Sequence, residues 1–394
     1  MPPCFLFLKS ITRPLLSAST TSKVTHIVSS YNKINNTRDF SQNHSQFKHK
    51  DEMSIPKSMK AIRVEKTGGP EVNVLEEIPV PIPGKGEGLV KVLWTGTNFI
   101  DNYFRSGLYP RPLPYTPGQD IVGILLSLPE DYVPTDSSDL PRLEIGQKIL
   151  APVAGSGSFA EYATCPISKI APLPNDIPGP DGIAASTTAF TALALVTESY
   201  EVKKGDWVLV RAASGGVGLV LCQLCAHLGA NVLGTVSSPA KADLAKQNGA
   251  QHVLFTTDSS EENVKRVLEL SGGGVHVVYD GVGKDTFEED FEVVRPKATI
   301  VTFGNASGAV PPFSPLKLGP KALKLTRPTM NPFISTQEDF TRYASKIFDL
   351  IKQGGLKFTI HKIYDFSPEG VSQSQIDIAS RGTVGKLVIK VADE

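Results

Sequence analysis

Trp207-Val208-Leu209-Val210, followed by Arg211-Ala212-Ala213-Ser214-Gly215-Gly216-Val217-Gly218 and then an apolar run to Leu228, is the stretch that decides the architecture. Bulky apolar residues without alternation read as a strand buried on both faces, as in a parallel sheet covered by helices. The run after the glycines has the length and character of a buried helix. Strand, glycine-rich turn and helix, in that order, are what a dinucleotide-binding βαβ unit requires. Ala213, Gly215 and Gly218 hold the three small-residue positions of the turn, with alanine at the first. At Gly215 the missing side chain lets the backbone approach a pyrophosphate, whose charge meets the amides and dipole of the helix start. At Gly218 it lets the helix pack closely on the strand. A turn that needed only flexibility would not require the strand and helix around it.

Working outward, the next strand, Asn231 to Val236, ends in Ser237-Ser238-Pro239-Ala240-Lys241. An NAD-binding chain usually has an acid there for the ribose hydroxyls. An acid would repel a 2′-phosphate, whereas two hydroxyls and an ammonium can receive one, so NADPH is the expected cofactor. Val277 to Gly283 and Thr299 to Gly308 each end an apolar strand in small or polar residues, and ligands of open α/β sheets bind beyond such ends.

This rhythm of strands and helices occupies residues 186–329 and predicts a doubly wound parallel sheet. Residues 53–185 differ: short β-rich runs such as Leu89 to Trp94, Ile121 to Leu126 and Lys148 to Ala151 are separated by Gly and Pro, which predicts a mostly antiparallel domain. In 330–394 a helix from about Gln337 to Gln353 precedes strands at Phe358 to Tyr364 and Lys386 to Val391, read as a return to the first domain. Residues 1–52 form an extension. It lacks Asp and Glu before Asp39 but carries Lys9, Arg13, Lys23, Lys33 and Arg38 among Ser, Thr and Asn, which is transit-peptide composition. Met53 is a second plausible start. A mitochondrial matrix form begun at Met1 and a cytosolic form begun at Met53 are both expected.

The chain of 394 residues balances 40 basic against 40 acidic side chains, leaving no surplus charge to draw it to nucleic acid or anionic lipid. No run approaches the roughly 18 apolar residues of a membrane span. A soluble protein with a small-molecule partner is the expectation. The four cysteines do not suggest a disulfide framework, and Cys222 and Cys225 sit within the apolar helix, where core packing explains them.

At these residues the chain resembles the NADPH:quinone oxidoreductase or ζ-crystallin family of zinc-free medium-chain dehydrogenases, from about Lys60 to Val391. The resemblance rests on Gly68-Gly69-Pro70-Glu71, Asn98 to Pro110, the Ala-Ala-Ser-Gly-Gly-Val-Gly turn, Gly283 to Phe287, Phe303 to Gly308 and Arg327-Pro328. It implies a GroES-like catalytic domain joined to a Rossmann domain, and a homodimer. It also implies that Phe99, Ile100, Asp101 and Thr191 lie near the nicotinamide and that Gly216 and Val217 meet the pyrophosphate. Ser237, Ser238 and Lys241 would take the 2′-phosphate, and Val282 the adenine-side groove. Gly304, Asn305, Ala306, Ser307, Pro328, Thr329 and Met330 would hold the nicotinamide half, and Arg381 would reach back to the cofactor.

Alcohol dehydrogenases of the same fold place a cysteine where this chain has Asn98 and Gly-His-Glu where it has Gly118-Gln119-Asp120. The usual zinc ligands are missing, and no metal is expected. Without a metal to polarise a carbonyl, an acceptor that is already electrophilic suits the site best: a quinone or enone, whose developing oxyanion needs a hydrogen-bond donor. Tyr103 and Tyr109 are the candidates, with Asn98 a weaker one. Two other readings stand beside this: a mitochondrial enoyl-thioester reductase of the same superfamily, and an RNA-binding protein whose binding NADPH would displace. Neutral charge and the lack of an RNA motif argue against the second.

Overall fold

The structure, a computed structural model, describes residues 55–133, 142–153 and 155–394, which belong to one compact unit. The 1–52 extension, where a targeting signal is expected, and the candidate second start Met53 lie outside the described residues. So does most of the acidic loop after Pro129.

The first lobe begins with the hairpin β1 (Ser58–Val64) and β2 (Asn73–Pro79). Next come β3 (Glu87–Thr97), α1 (Phe99–Ser106), β4 (Ile121–Leu125), β5 (Lys148–Ala151), β6 (Tyr162–Pro166) and the short β7 (Ala171–Pro172). Strands β3 to β7 pair antiparallel throughout, as the Gly- and Pro-punctuated runs predict. Gly123 in β4 is required by this packing, since a Cβ there would stand 2.2 Å from the Lys91 carbonyl of β3. Helices α2 (Gly179–Ala185) and α3 (Thr187–Ala194) then carry the chain to the second lobe.

There β8 (Trp207–Val210), α4 (Gly216–His227), β9 (Asn231–Val236), α5 (Pro239–Gln247), β10 (His252–Phe255), α6 (Ser260–Ser271), β11 (Val275–Asp280), α7 (Phe287–Val293), β12 (Val294–Thr302) and β13 (Lys324–Thr326) follow in turn. The strands lie in the order β10-β9-β8-β11-β12-β13, parallel at every pairing. The order reverses at β8, so a crevice opens beyond its carboxyl end, where the glycine turn sits. Both faces are covered. Val208 and Val210 join one apolar cluster and Leu209 the other, and the same alternation holds for Val277, Val278 and Tyr279.

The chain continues through α8 (Met330–Phe333), α9 (Gln337–Lys352), β14 (Ile360–Asp365), α10 (Pro368–Ala379) and β15 (Lys386–Lys390). β15 pairs antiparallel with β3, and β14 lies outside it. Helix α9 instead packs on α3, with Phe340 and Tyr343 stacked against Phe190 at centroid distances of 5.4 and 6.2 Å. The main apolar cluster therefore runs from Trp94 and Val122 through Phe190 to Val210, Tyr343 and Val388, giving the two sheets a common core. Cys222 and Cys225 are fully buried in it, and burial pushes the Cys222 thiol up to about 12.

Candidate functional site

Beyond β8 the chain turns sharply. The Ala213 amide donates to the Thr235 carbonyl of β9 (2.9 Å) and the Gly215 amide to the Ala212 carbonyl (2.9 Å). Gly215 is the N-cap of α4, and Leu219 N–H closes the first turn on its carbonyl (2.9 Å). The amides of Gly216, Val217 and Gly218 are then the ones that helix geometry leaves to an outside acceptor, at the positive end of a helix of 12 residues. A Cβ on Gly218 would stand 2.3 Å from the Ala212 carbonyl, so glycine is needed there for packing. At Gly215 the nearest atom is 3.3 Å away, and the gain is an open approach. The turn is thus shaped to receive a dinucleotide pyrophosphate.

The adjacent strand end carries two hydroxyls and an ammonium. Ser237 is exposed, and Ser238 caps α5 by accepting from Lys241 N–H (3.4 Å). The Lys241 ammonium lies 2.5 Å from the Arg381 carbonyl. The Arg381 guanidinium, expected to reach back, instead donates to Asp285 (3.0 Å) and is 65 % exposed. Position 381 reaches Lys241 with its backbone, in a left-handed conformation (φ 62°).

On the other side of the switch point, buried Asp280 accepts from the amides of Val282 (2.7 Å) and Gly283 (3.2 Å) and from the Thr286 hydroxyl (2.9 Å). Burial raises its pKa, and these donors oppose the rise. The turn is laced to the loop Gly304–Ser307 by bonds from Ala306 N–H to Gly281 (3.2 Å) and Ser307 N–H to Val282 (2.8 Å). A Cβ on Gly304 would meet the Gly281 carbonyl at 2.3 Å. Thr329 precedes α8 in an extended conformation; α8 packs on α3, the helix of Thr191, and Met330 rests against the shared core.

The first lobe meets this loop through its tyrosines. The Tyr103 hydroxyl accepts from Asn305 N–H (2.9 Å), and the rings of Tyr103 and Tyr109 are 5.2 Å apart. With its amide oxygen facing the donors, Asn305 accepts from the Tyr109 hydroxyl (3.1 Å) and from Arg327 Nη2 (3.2 Å). The Tyr109 oxygen also receives Arg327 Nη2 (3.2 Å). The Tyr109 proton is thereby committed, whereas that of Tyr103 is free to be donated. Burial raises the Tyr103 pKa to about 12, so the phenol keeps its proton. Arg327, quoted in the motif but given no role from sequence, supplies a positive charge beside both hydroxyls.

Asn98 is not an available donor. Its amide gives hydrogens to Asp120 (2.8 Å) and Gly96 O (3.3 Å), and its oxygen accepts from Lys386 (2.6 Å). Phe99 packs into the apolar cluster of Ile62 and Phe159, and Ile100 is half-buried on the same helix. Asp101 is 2 % exposed and accepts from Asn98 N–H (2.8 Å) and Gly118 N–H (3.3 Å), so its carboxylate braces the start of α1. Burial raises it to about 7, with the two amides opposing and Asp120 adding. The site also includes residues that sequence reasoning missed: Thr188, Thr359, Gly385 and Lys386 line a small cleft with Gly216, and Gly385 N–H donates to the Ser214 carbonyl (3.0 Å). Gly385 and Lys386 follow a loop and carry no motif. A lysine opening a buried apolar strand was the available signal.

The positions that hold zinc in related dehydrogenases do not suit a metal. The Lys386 ammonium, 4 % exposed, lies between Asn98 and Asp120 at 2.6 Å from each. Among the described residues no three His, Cys, Asp or Glu side chains converge.

Residues 84–175 match the family model described as alcohol dehydrogenase GroES-like domain, and residues 216–349 the one described as zinc-binding dehydrogenase. The chain is 36% identical over 334 residues to the quinone oxidoreductase of Pseudomonas aeruginosa, spanning 84% of this chain and 99% of that protein. Two solved structures align over 84% of this chain and the whole of their own. One is a mycobacterial protein complexed with NADPH (38% identity, TM-score 0.80). The other is the Escherichia coli quinone oxidoreductase complexed with NADPH (32% identity, TM-score 0.79).

Proposed function

From the premise that the chain belongs to the quinone oxidoreductase family of medium-chain dehydrogenases, we propose that it reduces quinones or related conjugated carbonyl compounds with NADPH. The observation that carries this reading is the meeting of Tyr103, Tyr109 and Arg327 on Asn305, beyond the carboxyl end of β12 in the crevice that the glycine turn opens. NADPH, when bound, supplies the hydride. The chain supplies the rest. The glycine turn and the amides of α4 receive the pyrophosphate, while Ser237, Ser238 and Lys241 receive the 2′-phosphate. Asn305 and the Gly304–Ser307 loop, with α8 and Thr191, bound the nicotinamide half.

Reduction of a quinone to a hydroquinone takes a hydride and a proton. Tyr103 holds such a proton at its hydroxyl, kept there by burial, and can present it to the oxygen on which charge develops. Arg327 steadies that charge, and Tyr109, its own proton spent on Asn305, braces the arrangement. An acceptor whose charge spreads over a conjugated system needs no more than this.

A homodimer belongs to the same reading. β13 is an edge strand of the parallel sheet, and Leu316, 85% exposed on the preceding turn, offers apolar surface beside it. The composition of residues 1–52 supports the proposal of matrix and cytosolic forms. The test of function is a panel of ortho-quinones, alkenals and enoyl-thioesters with NADPH, followed by loss of the cofactor's absorbance. Turnover is expected on quinones. Turnover confined to enoyl-thioesters would replace this reading with that of an acyl-thioester reductase.

A further inference from the structure

Lys386 opens β15 as a buried charge in an apolar strand. Its ammonium reaches Asp120 Oδ2 and Asn98 Oδ1, each at 2.6 Å. Asp120 is fully buried and also accepts from the Asn98 amide (2.8 Å), from Thr187 N–H (3.2 Å) and from the Thr187 hydroxyl. Gly96 makes the room, since a Cβ there would stand 2.6 Å from Lys386 Cε. A buried ion pair of this kind contributes little net stability over an apolar replacement, so its presence asks for another reason.

Its position offers one. Gly385, one residue earlier, bridges to Gly215 and donates to Ser214 O (3.0 Å), so the backbone at 385–386 is fastened to the glycine turn. Asn98 is the N-cap residue of α1, the helix that carries Tyr103, and its backbone N–H donates to Asp101 in the first turn of that helix (2.8 Å). One side chain therefore spans from the turn to the helix, with its charge neutralised on the way by Asp120.

We infer that Lys386 is a positioning residue for the reduction: its ammonium, clamped between Asp120 and Asn98, ties the glycine-rich turn to α1 and holds Tyr103 in register with the bound cofactor. The inference rests on the function proposed above. Removing the tie leaves the parts in place but loosens their mutual placement, and misplacement of about 1 Å costs on the order of a hundred-fold in rate.

Lys386→Met alone would strand the Asp120 carboxylate, so the test uses Lys386→Met with Asp120→Asn, in which both charges are gone and the two amides can pair after a flip. Asn98→Ala is the second variant; it cuts the same link and leaves the ion pair whole. Hydrogen exchange of the full chain is followed with and without NADPH. In the wild type, NADPH is expected to protect both the turn around Gly215–Leu219 and α1. In each variant the turn stays protected and α1 does not, while turnover falls by about ten-fold to a hundred-fold with NADPH affinity within about three-fold. Protection of α1 and turnover both kept in either variant would overturn the inference. A wild-type turn that NADPH leaves unprotected would overturn the cofactor reading, and the inference with it.

Discussion

Replacing Lys241 by alanine should convert an NADPH enzyme into one that discriminates poorly between the two dinucleotides. The ammonium stands half-buried at the end of β9, fixed by the Arg381 carbonyl at 2.5 Å, and burial lowers its pKa, a sign that water screens it incompletely. A sheltered charge-assisted hydrogen bond contributes roughly 1.5 to 3 kcal/mol, and this partly open one about 1 to 2. At 1.4 kcal/mol per decade that is about 5-fold to 30-fold in NADPH affinity, with NADH nearly unchanged. Arg381, which the resemblance has reaching back to the cofactor, already pairs with Asp285 and is 65% exposed, so Arg381→Ala should cost less than about five-fold. Ser237→Asp goes further, since the exposed strand end then repels the phosphate and accepts from the ribose hydroxyls, reversing the preference. The assay is kcat/KM for NADPH and NADH at low and high salt. The Lys241 effect should shrink as salt rises. Equal use of both cofactors by the wild type, or equal loss for both in Lys241→Ala, would refute the phosphate seat.

Tyr103→Phe should lower turnover about ten-fold or more while NADPH affinity holds, and Tyr109→Phe should cost less, because only the Tyr103 proton is uncommitted; wild-type kinetics in both variants on quinones and enones alike would reject the roles. Asp101 is a buried acid raised to about 7 from 3.8, so the folded state prefers its protonated form. Its stabilising contribution is full below about pH 4 and is lost as pH rises through 7, by up to about 4 kcal/mol. Urea midpoints should therefore fall more steeply between about pH 4 and 7 in the wild type than in Asp101→Asn, and parallel slopes would contradict this. Metal analysis should find less than stoichiometric zinc in active enzyme, against which one tightly held, required zinc per chain would count. Met53→Leu in a tagged gene should remove a cytosolic pool and spare the matrix pool, and an unchanged distribution would reject internal initiation.

The glycine turn and the strand end beside it are legible because the pattern is local. Gly215, Gly218 and the Ser237–Lys241 segment each lie within a few residues of a strand that announces itself by apolar content. The parallel sheet follows from the same runs. What the sequence hides is pairing across distance. Asn98 reads as a free amide until Lys386 and Asp120 are seen to claim it, and Tyr109 reads as the equal of Tyr103 until Asn305 and Arg327 take its proton. Helix α9 follows the second lobe in the chain, yet it packs on α3 because the Phe190 ring stacks on Phe340 and Tyr343. No periodicity within either segment shows that meeting.

The pairing of β15 with β3 also bears on how the protein is made. A ribosome delivers β3 early and β15 long afterwards, with the whole parallel sheet synthesised between them. Until β15 arrives, the Trp94–Thr97 end of β3, beyond the part that β6 covers, presents an unpaired edge, a template for any stray strand. The later half of the chain can assemble its sheet from neighbouring strands while the earlier half waits. Vectorial synthesis thus inverts the order of the lobes: the nucleotide-binding half should mature first, and the half that began the chain should be the one that chaperones have to guard.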